Sequence, residues 1–334
     1  MPATNGKSNR SKFFAYLMFG DIFLVGLQPI LIQASKVGGK YAYNPLTLNL
    51  LIEATKTTVM LSLLLIRGIG KNKYGSPSLQ SVKQMLRQNY LLIVPACLYA
   101  LNNYVKFIMQ LYFEPTNVKM ISNLKVFCIA CLSVVLLKKS YSPFQWEALL
   151  LLVLGVAVNQ MKGGSGGTSV EGIAWLYTLV SIGMSSLASV FNEKFFKGLQ
   201  TDHVVIQCFA LYFFGFTVNS LGMLLMSVGT YGQGTSMLDG LTYKTTLIIM
   251  TNSCQGMLSS LFLKYADTIF KKFSSNIATL VTGALSASLY KQALSLRFFT
   301  AFAMISMALH HFYTLKPGFQ VPFPDPSNRP LDIL

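Results

Sequence analysis

Long apolar runs recur along this chain, and several carry a lysine in a stretch otherwise fit for hydrocarbon. Lys56 sits in Leu46–Ile66, Lys125 sits in Thr116–Leu137, and Lys271 opens a third such stretch. A helix needs about 20 apolar residues to cross a bilayer, and these runs are too many and too long for one soluble core. A cation among them is held at a cost of several kcal/mol unless it faces a wet cavity lined by protein. The pattern therefore constrains the fold to an all-α polytopic membrane protein. It also points to an anionic solute as the reason the lysines are there.

Composition agrees. Apolar residues make up 52% and charged residues 11%, against roughly a quarter charged in soluble domains. Lys and Arg outnumber Asp and Glu by 27 to 11. In this setting the excess fits cytosolic loops, so no nucleic-acid partner is expected and the lipid bilayer is. Cys97, Cys128, Cys131, Cys208 and Cys254 all fall in apolar segments without metal-ligand spacing, which makes them packing residues. Met1–Lys12 is polar and lacks a cleavable signal, so the first helix is expected to be an uncleaved anchor. The sequon at Asn9-Arg10-Ser11 is expected to stay cytosolic and unused.

Ten spans are predicted: Phe13–Ser35, Leu46–Ile66, Tyr90–Phe113, Thr116–Leu137, Phe144–Met161, Gly172–Phe195, His203–Val228, Thr245–Tyr265, Lys272–Leu289 and Phe298–Tyr313. The loop after the second span holds Arg67, Lys71, Lys73, Lys83 and Arg87 with no acid. Lys7, Arg10 and Lys12 precede the first span, and Lys138 and Lys139 follow the fourth. These segments share one side if both termini are cytosolic.

The run Gly163–Gly167 joins two spans and is not followed by Lys-Ser/Thr, so it reads as a linker rather than a phosphate loop. It divides the chain into a half at 1–162, a linker at 163–171, a half at 172–315 and a cytosolic tail at 316–334. At an offset of 152 residues, Thr116, Lys119, Ser122, Leu137 and Lys139 meet Thr268, Lys271, Ser274, Leu289 and Lys291. Five spans per half would invert the second copy, a layout that builds a midplane site at the repeat interface.

Two readings stand for Lys125: snorkelling to an interface, or an ammonium offered to a phosphate in a desolvated cavity. Lys271 and Lys272 follow Asp267, and either is a solvated cation or the partner of Lys125 in a phosphate clamp. Glu53 and Lys56 share a helical face, as a neutralising pair or as a gating and coupling pair. Tyr99, Asn102 and Asn103 could stack on a base and read its edge. Ser185, Ser186 and Ser189 fit close helix packing or a polar lining. Gln207, Tyr212, Ser259 and Ser260 are further polar candidates. Asp21 and Glu147 are single intramembrane acids without an assigned role.

Enzyme signatures are lacking. His203, His310 and His311 have no Ser or Cys partner at triad spacing, and no Walker loop or acidic metal pair occurs. No cofactor is expected, and transport would be downhill or by exchange.

Several stretches resemble the nucleotide-sugar transporters of the drug/metabolite transporter superfamily, most of all the plant-type CMP-sialic acid transporter branch. They are Glu53-Ala54-Thr55-Lys56, Tyr99-Ala100-Leu101-Asn102-Asn103, Asn123-Leu124-Lys125, Ser186 through Lys194, and Lys264 through Ser275. The similarity covers roughly residues 13–313. It implies ten transmembrane helices in two inverted five-helix repeats, a Golgi membrane location, and exchange of a cytosolic nucleotide sugar for a lumenal monophosphate. It places the phosphate on Lys125 and Lys271, and the nucleobase on Asn103, Ser185, Ser186 and Tyr212. Animal CMP-sialic acid transporters have a base-contacting Asn where this chain has Cys208, with Gln207 beside it. CMP and a CMP-sugar are thus the expected substrates, with UMP and a UDP-sugar as the alternative. A non-transporting Golgi membrane receptor is the reading from another class. Gly- and Ser-rich helix faces would permit a homodimer.

Overall fold

The computed structural model describes residues 3–37, 40–41, 43–69, 78–112, 124–160, 172–198, 203–229, 241–289 and 296–314. The expected linker, the tail, and the repeat positions Thr116, Lys119, Ser122 and Lys291 lie outside these residues. Eleven α-helices are described. They are α1 (Ala3–Ser35), α2 (Pro45–Arg67), α3 (Leu79–Gln88), α4 (Ile93–Tyr112), α5 (Lys125–Leu137) and α6 (Pro143–Gln160). The remainder are α7 (Gly172–Gly198), α8 (Val204–Gly229), α9 (Tyr243–Tyr265), α10 (Thr268–Leu289) and α11 (Leu296–Thr314). Between α1 and α2, Lys36–Val37 pairs antiparallel with Lys40–Tyr41.

Each expected span overlaps one of these helices. Four are long and apolar enough to cross a membrane, over Ala15–Ile32, Pro45–Arg67, Val204–Leu225 and Tyr243–Tyr265. Large apolar side chains such as Phe19, Leu154 and Leu225 point outward on them and their neighbours. That suits a surface solvated by lipid.

Local chemistry sets the helix ends. Pro45 starts α2, and the Asn44 side chain accepts from Leu46 N at 2.9 Å. This meets one of the donors a helix start leaves open. Thr242 and Thr245 cap α9 reciprocally. Only Ala266 and Asp267 separate α9 from α10. The Asp267 carboxylate accepts from Phe270 N at 2.7 Å, so the second helix starts at once.

The basic segment after α2 was expected to be a loop, but part of it is helix α3. Ser78 Oγ accepts from Ser81 N at 3.2 Å and caps it. Val82, Met85 and Leu86 pack against a core shared with Met60, Phe196 and Phe209, while Lys83 and Arg87 stay exposed. The 82-85-86 apolar spacing is a helical one, hidden by the local charge.

α2 packs on α8, α4 on α7, α5 on α7, and α6 on α11. α1 lies across α9 and α10. One core joins α2, α3, α4 and α8, and a second joins α5, α6, α10 and α11 through Ile129, Leu149, Phe273 and Phe312. A polar cavity lies beside the first core.

Candidate functional site

The cavity has a volume of about 220 Å³ and is lined by α2, α4, α7, α8, α9 and α10. On α2, Lys56 Nζ lies 2.6 Å from Glu53 Oε1. The same ammonium lies 4.6 Å from the centroid of the Tyr212 ring on α8. Both members of the pair are mostly buried, with side chains 10% and 19% exposed for Lys56 and Glu53. Carboxylate and aromatic face together satisfy a cation that the interior would otherwise penalise.

Two glycines make room for this pair. A Cβ at Gly215 would lie 3.0 Å from Glu53 Oε2, and one at Gly256 would lie 3.0 Å from Lys56 Cδ. The Tyr212 hydroxyl lies 2.6 Å from Ser260 Oγ and donates to Gly256 O at 3.1 Å. Gln255 and Ser259 continue the polar strip along α9, with Gln255 Nε2 donating to Ser259 Oγ at 3.1 Å.

From α4 the cavity receives Tyr99 and Asn103, separated by the small side chain of Ala100. Tyr99 donates to Ser189 Oγ at 3.3 Å, which holds α4 to α7. Lys271 reaches the wall from the first turn of α10. Eight of the expected residues therefore meet at one cavity: Glu53, Lys56, Tyr99, Asn103, Tyr212, Ser259, Ser260 and Lys271.

Others lie off the wall. Asn102 turns toward α7, where its Oδ1 accepts from Ser181 Oγ at 2.8 Å, and it is 1% exposed. Ser185 Oγ donates to Ile182 O at 3.2 Å within its own helix. Ser186 Oγ donates to Lys125 O at 3.3 Å, tying α7 to the start of α5. Gln207 and Cys208 are both buried, with Cys208 beside Tyr212 and Ser260. Lys125 is the first residue of α5, and the charge acting on it most is that of Lys272. Of Lys125, Lys271 and Lys272, it is Lys271 that lines the cavity.

Asn192, Asn219 and Gln255 also line the cavity; none carries a role in the sequence reading, although Asn192 falls in the stretch from Ser186 through Lys194. For Asn219 and Gln255 the signal is polarity inside apolar helices. Glu193, in the same stretch as Asn192, carries no role either. It is fully buried, and its Oε1 accepts from Lys139 Nζ at 2.7 Å and Lys197 Nζ at 2.8 Å. Its Oε2 accepts from Thr268 N at 3.0 Å and Thr268 Oγ1 at 2.7 Å. A carboxylate bound at the start of α10 is favoured by the helix dipole. Nearby, Lys264 Nζ donates to Phe196 O at 2.7 Å and meets a carbonyl in the last turn of α7.

Apolar-faced helices around a polar, cation-bearing chamber define a multi-pass membrane protein with an internal polar cavity. The chain belongs to the nucleotide-sugar transporter family, whose sequence pattern matches residues 22–314. It is 42% identical over 315 residues to the protein named CMP-sialic acid transporter 5 of Oryza sativa subsp. japonica, covering 91% of this chain and 78% of that one. It is 42% identical over 307 residues to CMP-sialic acid transporter 3 of Arabidopsis thaliana, covering 89% and 75%. A solved crystal structure with 15% identity superposes with a TM-score of 0.68, over 89% of this chain and 94% of that one. That likeness concerns the fold alone.

Proposed function

We propose that the protein is a Golgi antiporter exchanging a cytosolic CMP-sugar, of CMP-sialic acid or CMP-Kdo type, for lumenal CMP by alternating access. In this reading ten helices cross the membrane as two inverted halves of five, and both termini are cytosolic. The observation that carries it is the cavity itself, which Lys271 lines together with Asn103, Tyr212 and Ser260. An ammonium suits the phosphate common to both exchanged nucleotides. Amide, phenol and hydroxyl groups suit a base and ribose. Lys125, with Lys272 beside it, adds to the potential that attracts the phosphate. The names of the plant relatives support the cytidine class.

The size of the chamber bears on the mechanism. About 220 Å³ lies below the roughly 300–1,000 Å³ of pockets for drug-sized ligands. A second chamber of about 250 Å³, lined mainly by apolar residues, shares Ala100 and Asn219 with it. Joining the two would give a nucleotide sugar its room.

The test is reconstitution in liposomes preloaded with CMP. Uptake of labelled CMP is expected, saturable and blocked better by CMP than by UMP, GMP or AMP. Stronger block by UMP would assign the protein to UDP-sugars, an outcome that the thiol of Cys208 beside Tyr212 and Ser260 makes a real alternative. Folded protein that exchanges no nucleotide would sink the transport reading and favour a receptor.

A further inference from the structure

Ala100 and Asn219 line both the polar cavity and the second chamber of about 250 Å³. Ala100 brings only a methyl group to that boundary, so the polar group there is the amide of Asn219. Its Nδ2 donates to Gly215 O at 2.8 Å, one turn back in α8. A backbone carbonyl can only accept, which fixes the NH2 on that side and leaves Oδ1 as an acceptor. Among the described residues Oδ1 has no hydrogen-bond partner. Beyond it the second chamber is nearly apolar, with Leu101, Met223 and the ring of Tyr104 on its wall. Gly222 gives it room, since a Cβ there would meet no atom within 4 Å. A lone acceptor in such a place selects a donor. The phosphodiester of a nucleotide sugar offers none, whereas the hydroxyls on the rim of a sugar ring do.

We propose that the second chamber receives the sugar of the cargo and that Asn219 reads it, Oδ1 accepting from a hydroxyl or amide N–H of the sugar. This deepens the nucleotide-sugar exchange reading and rests on it. Asn219 is then a specificity-determining residue, standing where the nucleotide part of the cargo gives way to the sugar. The apolar walls cover the C–H faces of the ring while the amide takes one donor from its rim. The two exchanged species use different volumes: the monophosphate needs the polar cavity alone, and the nucleotide sugar spans both chambers.

The experiment measures Kd for CMP and for CMP-sialic acid by nucleotide-induced thermal stabilisation in detergent, and compares the ratio of the two between variants. A variant that merely loosens α8 weakens both ligands and leaves the ratio where it was. Asn219→Ala should lower the affinity for CMP-sialic acid relative to CMP about fivefold, the loss of one neutral hydrogen bond. Gly222→Leu puts a side chain into the second chamber, where a Cβ has clearance, and should lower the ratio further. An unchanged ratio in Asn219→Ala overturns the role of Asn219, and an unchanged ratio in Gly222→Leu overturns the sugar chamber. If Asn219→Ala does not fold, Asn219→Leu keeps the bulk without the acceptor and takes its place; loss of that variant too assigns Asn219 to the fold and overturns its role. For a uridine carrier the same comparison is made with UMP and UDP-galactose. Protein that binds neither nucleotide sugar fails the exchange reading itself, whereas binding with unchanged ratios fails this assignment alone.

Discussion

Lys56 and Tyr212 belong to helices from opposite halves of the sequence, yet the Lys56 ammonium lies 4.6 Å from the Tyr212 ring centroid. It is held there by Glu53, 2.6 Å away. One cation therefore links a carboxylate on α2 to an aromatic face on α8. Gly215 and Gly256 leave the space for both side chains.

Single replacements at this pair should be worse for the fold than a joint one. Glu53→Gln or Lys56→Met alone leaves an uncompensated charge and should destabilise the protein by about 2 kcal/mol. A wholly buried pair would lose about 3–5 kcal/mol, and this one borders a cavity. The joint variant should recover most of the stability but not the exchange. Thermal unfolding and liposome exchange, run on the same preparations, check both halves. A joint variant that exchanges normally would reduce the pair to packing.

Glu193 predicts a loss of stability without any contact with substrate. Glu193→Gln should destabilise by about 3 kcal/mol, since two lysines lose their counter-charge and an amide NH2 replaces one of the two accepting oxygens. Lys197→Met should cost less than about 1 kcal/mol, because Lys197 is one-third exposed and Lys139 still serves the carboxylate. Thermal unfolding of the two variants distinguishes them. Equal effects would contradict the asymmetry.

Neighbouring asparagines should separate cleanly. Asn102→Ala breaks the bond from Ser181 and should lower stability by about 1–2 kcal/mol while leaving KM for CMP unchanged. Asn103→Ala, on the cavity wall, should raise KM with little change in stability. The comparison needs only unfolding curves and exchange kinetics. The reverse pattern would mean that the site lies on the other face of α4.

Cytidine selectivity should be adjustable at position 208. Cys208 lies beside Tyr212 and Ser260, and a thiol is a weak donor and acceptor. Cys208 lies just off the wall, so Cys208→Asn supplies an amide that can pair with the amine and the ring nitrogen of cytosine once the cavity widens to admit the nucleotide. It should shift the ratio of UMP to CMP inhibition by about tenfold toward CMP, equivalent to about 1.4 kcal/mol. Competition curves in liposomes measure the ratio directly.

The helices were legible because apolar runs of spanning length leave few alternatives. α3 was not, because Val82, Met85 and Leu86 stand in a segment dominated by charge. Which polar residues reach the cavity was only partly legible. Asn102 and Asn103 are adjacent in sequence but about 100° apart around the helix. Their division between Ser181 and the cavity is decided by where α7 packs. The choice of Lys271 rather than Lys125 at the wall has the same origin. Glu193 was illegible for another reason: Lys139 and Thr268 are 54 and 75 residues away, and nothing local marks them as partners.

The four bonds to Glu193 also have a mechanical side. One carboxylate ties the segment after α5, the last turns of α7 and the first residue of α10 into a single piece. Lys271 sits less than one turn beyond that knot. In an exchanger that opens alternately to two compartments, this lysine cannot swing as a free arm. It travels with the end of α7 as a rigid unit, or the knot must be untied on every cycle.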